Sequence, residues 1–395
     1  MTCFYQSENL KNPTFMAGNS KVPPGAGTRP LCIGIGSDMA TAKLRRKAAL
    51  VGSRRGGAGR CPLYAHFSLH PMKRIKLLEV RSELGAGTRG SSLGPDALRV
   101  ACLNQGSDYF RRYNAVVVPD LNYALFDKDN FPLAHHIDAI YTVQKSVASA
   151  VEQTLRFGEF PIILSGDHSS ANATIAGIKA AYPSKTLGVI WIDAHADIHS
   201  PYTTPSGNVH GMPLAAALGE DNRACQRQQI DPETEFFWRR LQNLAEPGPK
   251  LLPQHLVYVA VRDTEFEEDA LIERLGIKWI RLTEIQEKGS RQLTREIYEH
   301  LRFCDLVYIS FDVDSLDSRF SKGTGTPVED GLFLSEGENL CQDLLENDRV
   351  VCFEMGEINP TLDHENTMAH NAFGILEKAT AAIEKRLRLD EVVSR

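Results

Sequence analysis

The sequence predicts an α/β fold, a parallel sheet covered by helices, and three observations carry that expectation. Beyond residue 72, short apolar runs alternate with longer helix-like segments, as in strands joined by crossover helices. Runs such as Leu187-Gly-Val-Ile-Trp-Ile192 are apolar throughout, which suits a strand covered on both faces. Three such runs lead straight into metal-capable side chains, and open α/β sheets place their sites outside the carboxyl ends of the strands.

In chain order, Arg74-Ile-Lys-Leu-Leu-Glu-Val80 reads as the first strand, followed by a helix over 94–104 and a strand over 114–118. A helix over 134–156 precedes Phe160-Pro-Ile-Ile-Leu164, which runs into a glycine turn and a helix over 169–181. The strand at 187–193 is followed by a helix at 211–219. The stretch 220–254, with Pro232, Pro247, Pro249 and Pro253, reads as a loop or surface excursion. Strands at 256–261, 277–281, 305–311 and 350–355 then alternate with helices at 265–274, 291–302 and 335–346, and a final helix covers 365–387. No internal repeat is apparent.

Length and charge narrow the function. A chain of 395 residues can be one large α/β unit, since such folds run beyond about 250 residues. The net charge of −6 and the lack of one long basic cluster argue against nucleic-acid binding. No run approaches about eighteen apolar residues, so no membrane span is expected. Eight scattered cysteines without CxxC spacing read as reduced, mostly buried thiols of a cytoplasmic protein.

Composition changes near residue 71. Residues 1–71 carry ten Lys and Arg against Glu8 and Asp38, a net +8 that leaves −14 for the remainder. This segment is rich in Gly and Pro without sustained periodicity, and reads as a largely disordered extension. It has the basic bias of a transit segment, the organelle-targeted alternative, but lacks a clean amphipathic helix. The plainer expectation is a catalytic domain over 72–395 that works without residues 1–71.

Three motifs carry the chemistry. Asp193-Ala-His195-Ala-Asp197 alone is equally a capped turn with a solvated histidine. However, Asp312-Val-Asp314 and Ser165-Gly-Asp-His168-Ser169 also follow strand candidates. Together they offer two histidines and four aspartates: His168, Asp193, His195, Asp197, Asp312 and Asp314. Such an oxygen-rich set exceeds one tetrahedral zinc and suits a pair of Mn²⁺-like ions.

In this order and spacing the motifs resemble the ureohydrolase family, arginases in particular, over roughly residues 72–385. Ser206-Gly-Asn-Val-His210-Gly-Met-Pro, Gly325-Thr326-Pro327 and Glu357-Ile-Asn-Pro-Thr-Leu-Asp363 are more similar to arginase than to agmatinase. The resemblance implies a three-layer α/β/α fold with a mostly parallel sheet, two Mn²⁺ held by the six ligands, and a homotrimer or homohexamer. It also implies hydrolysis of L-arginine to L-ornithine and urea through a metal-bridging hydroxide.

By the same resemblance Asp197 relays a proton to the leaving amine, His210 is the proton shuttle, and Glu357 pairs with the guanidinium. The plainer alternatives are a backbone-bonded helix-start histidine for His210 and a structural ion pair for Glu357. Thr326 matches a threonine near the scissile group, although Thr-Gly-Thr-Pro is also an ordinary turn. Thr204 and Ser206 match positions that bind the α-carboxylate. His199 stands where arginases usually have asparagine, and Glu265 where an aspartate usually receives the α-amino group. Rival readings are another ureohydrolase acting on agmatine, guanidinobutyrate or formiminoglutamate, a catalytically dead metal-binding scaffold, and a single-zinc deacetylase.

Overall fold

The computed structural model describes residues 74–320 and 322–393, with side chains to 388. Expectations for residues 1–71 lie outside the described residues. All eight expected strands form, as β1 (Arg74–Val80), β2 (Ala115–Val118), β3 (Glu159–Ser165), β4 (Leu187–Ile192), β5 (Leu256–Val259), β6 (Lys278–Ile280), β7 (Leu306–Asp312) and β8 (Val350–Gly356). Every strand pairing is parallel, in the order β2-β1-β3-β8-β7-β4-β5-β6. The strands β3, β4, β7 and β8 are buried along their whole length, which is why they lack apolar–polar alternation.

The eight expected helices form as α1 (Gly94–Asn104), α3 (Ile137–Arg156), α4 (Ala171–Ala181), α5 (Pro213–Leu218), α7 (Phe266–Leu275), α9 (Ser290–His300), α10 (Leu334–Leu345) and α11 (Thr367–Val393). Three more appear: α2 (Tyr109–Arg112), α6 (Pro232–Gln242) and α8 (Leu282–Lys288). Helices α3, α4, α5 and α6 pack among themselves, and α1, α9, α10 and α11 form a second group, so the sheet is the middle layer of three. In α3, Ile137, Ile140, Val143, Val147, Val151 and Leu155 are buried at the three- and four-residue spacing that gives a helix one apolar face.

The loop expected over 220–254 is corrected by α6. Asp231 caps it, accepting from the backbone N–H groups of Glu233 (3.0 Å) and Thr234 (2.9 Å), and Pro232 takes the first helical position, where its missing N–H costs nothing. Proline read as a breaker was here a starter. Trp238 fastens the helix: it is fully buried, and its indole N–H donates to Asp221 at 2.9 Å. Truncating it to alanine should cost about 3–5 kcal/mol.

The sheet order decides where the site sits. The central quartet β3-β8-β7-β4 is the set of strands whose C-terminal ends carry Asp167-His168, Glu357, Asp312-Asp314 and Asp193-His195. Two glycines let β3 end close beside its neighbours β1 and β8. A Cβ on Gly166 would lie 2.2 Å from the Ser82 carbonyl oxygen, and one on Gly356 would lie 2.5 Å from Ser165 Oγ. The Glu357 N–H then donates to the Gly166 carbonyl at 2.9 Å, fixing the start of the Glu357 loop.

Candidate metal centre

Two strand ends use the same local device. Asp193 Oδ1 accepts from its own chain's His195 N–H at 2.7 Å, and Asp312 Oδ1 accepts from the Asp314 N–H at 2.8 Å. Each aspartate thus closes its own turn with one oxygen and keeps Oδ2 for the site. This explains the x-spaced motifs, because the residue two places on is the one whose amide is captured. Asp193 Oδ2, Asp197 Oδ2 and Asp312 Oδ2 all lie 3.1 Å from His168 Nδ1.

A second cluster shares Asp193. His195 Nδ1 is 2.9 Å from Asp314 Oδ2 and 3.6 Å from Asp193 Oδ1. Asp314 is steadied by the Ala194 N–H at 3.1 Å and the Thr326 hydroxyl at 3.1 Å. His168, Asp193 and Asp197 therefore form one candidate cation site, and Asp193, His195 and Asp314 another. All six expected ligands come together, with Asp312 completing the first group.

The residues fit a pair of cations. His168 Nδ1 and Asp193 Oδ2 are buried and 3.1 Å apart, yet neither makes a hydrogen bond of acceptable geometry. Buried polar atoms are seldom left unpaired. Two such atoms converging with further carboxylate oxygens is the arrangement that a cation among them satisfies. Four ionised aspartates also carry a charge that two divalent ions would balance, and the nitrogen and oxygen donors lack the thiolates of a structural zinc site.

Without cations the cluster is electrostatically tense. Burial, reinforced by the charges of Asp314 and Asp197, pushes Asp193 up to about 6, and burial with Asp314 and Asp193 raises Asp312 well above the carboxylate range. Asp314 goes the other way: the ion pair with His195 overcomes its burial and holds it low. Burial disfavours charge on His168, but the facing carboxylates of Asp193, Asp197 and Asp312 outweigh it and raise the imidazole well above its usual value.

The backbone is also strained at the site. Asp197 (φ 49°) and Glu357 (φ 65°) both adopt the left-handed region, uncommon for non-glycine residues and typical of functional sites held by their surroundings. Glu357 Oε1 accepts from the His168 N–H at 2.9 Å and lies 2.9 Å from His210 Nδ1. Burial alone would lower the His210 pKa, but the charge and hydrogen bond of Glu357 carry it to about 9.

A cavity of about 130 Å³ runs from this centre outward, lined by His195, Asp197, Asp312, Asp314, His210 and Thr326, then by Thr204, Ser206, His199, Glu265 and Glu268. At the outer end His199 Nε2 bonds Glu265 and its Nδ1 lies 3.0 Å from Thr203 Oγ1. Thr204 Oγ1 accepts from the N–H groups of Ser206 (3.3 Å) and Gly207 (3.0 Å), and Ser206 is exposed. Glu357 lies buried against His210 rather than on the cavity wall.

Several neighbours escaped the motif reading. Glu268 closes the cavity beside Glu265, its Oε2 accepting the Glu265 N–H at 3.1 Å, and burial lifts its pKa to about 7. The Glu-x-x-Glu spacing at a helix start signals the capping pair it forms, not a place on a cavity wall. Ser310 Oγ is 2.7 Å from His168 Nε2, Trp191 stacks on the same ring at 4.1 Å, and Asp263 faces His195 Nε2 at 3.7 Å. Ser310 could have been found from strand alternation, since it shares a face with Asp312.

The fold and the site define a class: a three-layer α/β protein with His/Asp groups able to bind metal at the carboxyl end of its central strands. Residues 73–381 match the arginase family. The chain is 32% identical to an arginase of Bacillus caldovelox over 319 residues, covering 77% of this chain and 97% of that protein. It is 33% identical to an arginase of Brevibacillus brevis, with coverage of 77% and 96%. The crystal structure of an arginase from Bacillus cereus aligns with a TM-score of 0.65 at 31% identity, covering 78% of this chain and 98% of that one. The chain belongs to the arginase family, and is a hydrolase of that family with residues able to bind metal.

Proposed function

We propose that this chain hydrolyses L-arginine to L-ornithine and urea, with two Mn²⁺ ions at the centre. The observation that carries the proposal is the pair of clusters sharing Asp193 at the floor of a cavity whose wall holds His210 and whose mouth holds Thr204, Ser206 and Glu265. When bound, a divalent pair supplies a nucleophile at neutral pH by lowering the pKa of water.

The chain's own residues do the rest. His210 is kept charged near neutral pH by Glu357, so it can hold a proton for the leaving amine and return to the same state afterwards. Glu357, buried behind the cavity wall, anchors His210 and so aligns the proton donor; pairing with the cationic guanidinium would need its side chain to turn from His210 toward the cavity. Asp197 relays a proton within the centre. Thr326, bonded to Asp314, marks the position of the scissile group. Thr204 and Ser206 receive the α-carboxylate, and His199 and Glu265 frame the α-amino end.

The bond between His199 and Glu265 favours testing a second member of the class, because it occupies the carboxylate that would take an α-ammonium group. The decisive assay follows urea from Mn²⁺-loaded protein with L-arginine, agmatine and 4-guanidinobutyrate, and ammonia or formamide from formiminoglutamate. Fastest turnover of L-arginine at equal concentration is the expected result. Faster turnover of any of the others would reassign the substrate, and a folded, loaded protein inert on all four would remove the hydrolase reading.

A further inference from the structure

The left-handed backbone of Asp197 has a specific support. With φ at 49°, Asp197 Oδ2 comes within 3.1 Å of His168 Nδ1. Strain of this kind persists only where the surroundings over-determine it. Two rigid peptide planes set the conformation, the plane before residue 197 through φ and the plane after it through ψ. The following plane is held at both edges: the Asp197 carbonyl accepts from the Leu214 N–H at 3.1 Å, and the Ile198 N–H donates to Glu268 Oε1 at 3.3 Å. The preceding plane is held at the Ala196 carbonyl, which accepts from the Tyr258 hydroxyl at 2.7 Å. None of the steps above uses Tyr258.

The sheet puts that hydroxyl in place. In the β4–β5 ladder Tyr258 stands opposite Trp191, whose ring stacks on His168, so the phenol extends on the face that carries the first cation site. Tyr258 is fully buried, with its ring edge-on to Trp279 at 6.3 Å, and the Ala196 carbonyl that it meets is buried too. A donor fixed by packing grips the plane that sets φ. Were that plane to turn, φ would relax toward ordinary negative values and the Cα–Cβ bond would swing, carrying Oδ2 away from His168. Asp193, tied by its own turn, would stay.

We propose that Tyr258 is a positioning residue whose hydroxyl fixes the peptide plane before Asp197 and so aims the Asp197 carboxylate at the first cation site. The proposal rests on the two-cation reading of the centre, and its readout is metal affinity, so it can fail or stand independently of the substrate assignment.

The test measures Mn²⁺ affinity of the full-length chain by competition with a chelating dye, in Tyr258→Phe, Asp197→Gly and Tyr258→Phe/Asp197→Gly. Tyr109→Phe, which loses a buried hydroxyl bond to Thr380, serves as the remote control. Tyr258→Phe should weaken one of the two Mn²⁺ by about tenfold, while the metal-free variant melts no lower than the control. Glycine enters the left-handed region freely and brings no carboxylate to aim. In the Asp197→Gly background, Tyr258→Phe should therefore change affinity by less than about twofold, as expected when one residue acts through the other. Parent-like affinity in Tyr258→Phe, or an equal loss in both backgrounds, would overturn the proposal. So would a metal-free Tyr258→Phe that melts well below the control or fails to fold, because the hydroxyl would then serve the fold as a whole. Failure of the parent to bind Mn²⁺ would overturn it together with the two-cation reading, whereas absent urea with the affinity pattern intact would count against the hydrolase reading alone.

Discussion

The inner and outer ends of the cavity are built by different means. The inner end is made by strand termini: Asp193, Asp312 and His168 are all but inaccessible, and short turns tied by their own carboxylates fix them. The outer end is made by the loop after Asp197 and the start of α7, where Ser206 and Glu265 are exposed. Polar atoms at the inner end converge without partners. At the outer end His199 already has Thr203 and Glu265. A site whose like charges are held together by a rigid sheet awaits a counter-charge, while a site on loops satisfies itself until a ligand competes. Metal binding should therefore be sensitive to single atoms at the inner end, and substrate choice should be adjustable at the outer end.

The sharpest test of that contrast is Asp193→Asn, which removes the ligand shared by both clusters. Metal content measured by elemental analysis should fall for both ions. Urea formation should fall by roughly three orders of magnitude, the equivalent of several kcal/mol of lost electrostatic stabilisation. Retained metal and activity would break the assignment of the inner end.

Next in size is metal removal from the parent protein. At a free ion concentration of about 100 times Kd, each bound ion stabilises the fold by about 2.7 kcal/mol, so chelation should lower the melting temperature by roughly 5–10 °C. Asp193→Asn should show little such shift. Calorimetry with and without chelator compares the two directly.

A smaller effect is expected midway along the cavity. His210 titrates at about 9 rather than near 6.5 because Glu357 faces it. The raised folded pKa means that this pair's contribution to stability is complete below the unfolded value and is lost as pH rises through about 9. Glu357→Gln should therefore destabilise the protein near pH 6, by about 1–3 kcal/mol for a buried charged hydrogen bond, with the difference shrinking above pH 9. NMR of the imidazole should show the His210 pKa moving down in the variant. An unmoved His210 would separate the two residues.

The smallest effects belong to the outer end. His199→Asn releases Glu265, so KM for L-arginine should fall by about fivefold, the scale of a part-exposed ion pair, with kcat and metal content unchanged. Glu265→Gln should raise KM by a similar factor. A change in metal content in either variant would show that the two ends are not independent.

Much of the fold was readable in order because strand and helix periodicities are local. Runs such as 187–192 and 306–312 announce themselves by unbroken apolar content, and the ligand motifs follow them directly. Helix α6 was not read, because its proline signature serves equally as a break or a start, and only the burial of Trp238 against the rest of the domain distinguishes them. The convergence of the candidate ligands was legible for a related reason: Asp193 and Asp312 each close a turn on the residue two places on, so the spacing encodes that local geometry. Glu268 and Asp263 were not legible as site residues, since acidic side chains near a helix start are usually capping groups.

By itself the sequence determined which side chains stand at strand ends and what ions they suit, because alternation and donor chemistry are properties of a few neighbouring residues. The tertiary structure alone decided the order β2-β1-β3-β8-β7-β4-β5-β6 that makes four distant ends adjacent. It also set the pairings of Glu357 with His210, Glu265 with His199, and Glu354 with Tyr308. Those contacts join residues 46 to 147 positions apart, and they exist only because sheet register and loop closure bring the side chains onto one face.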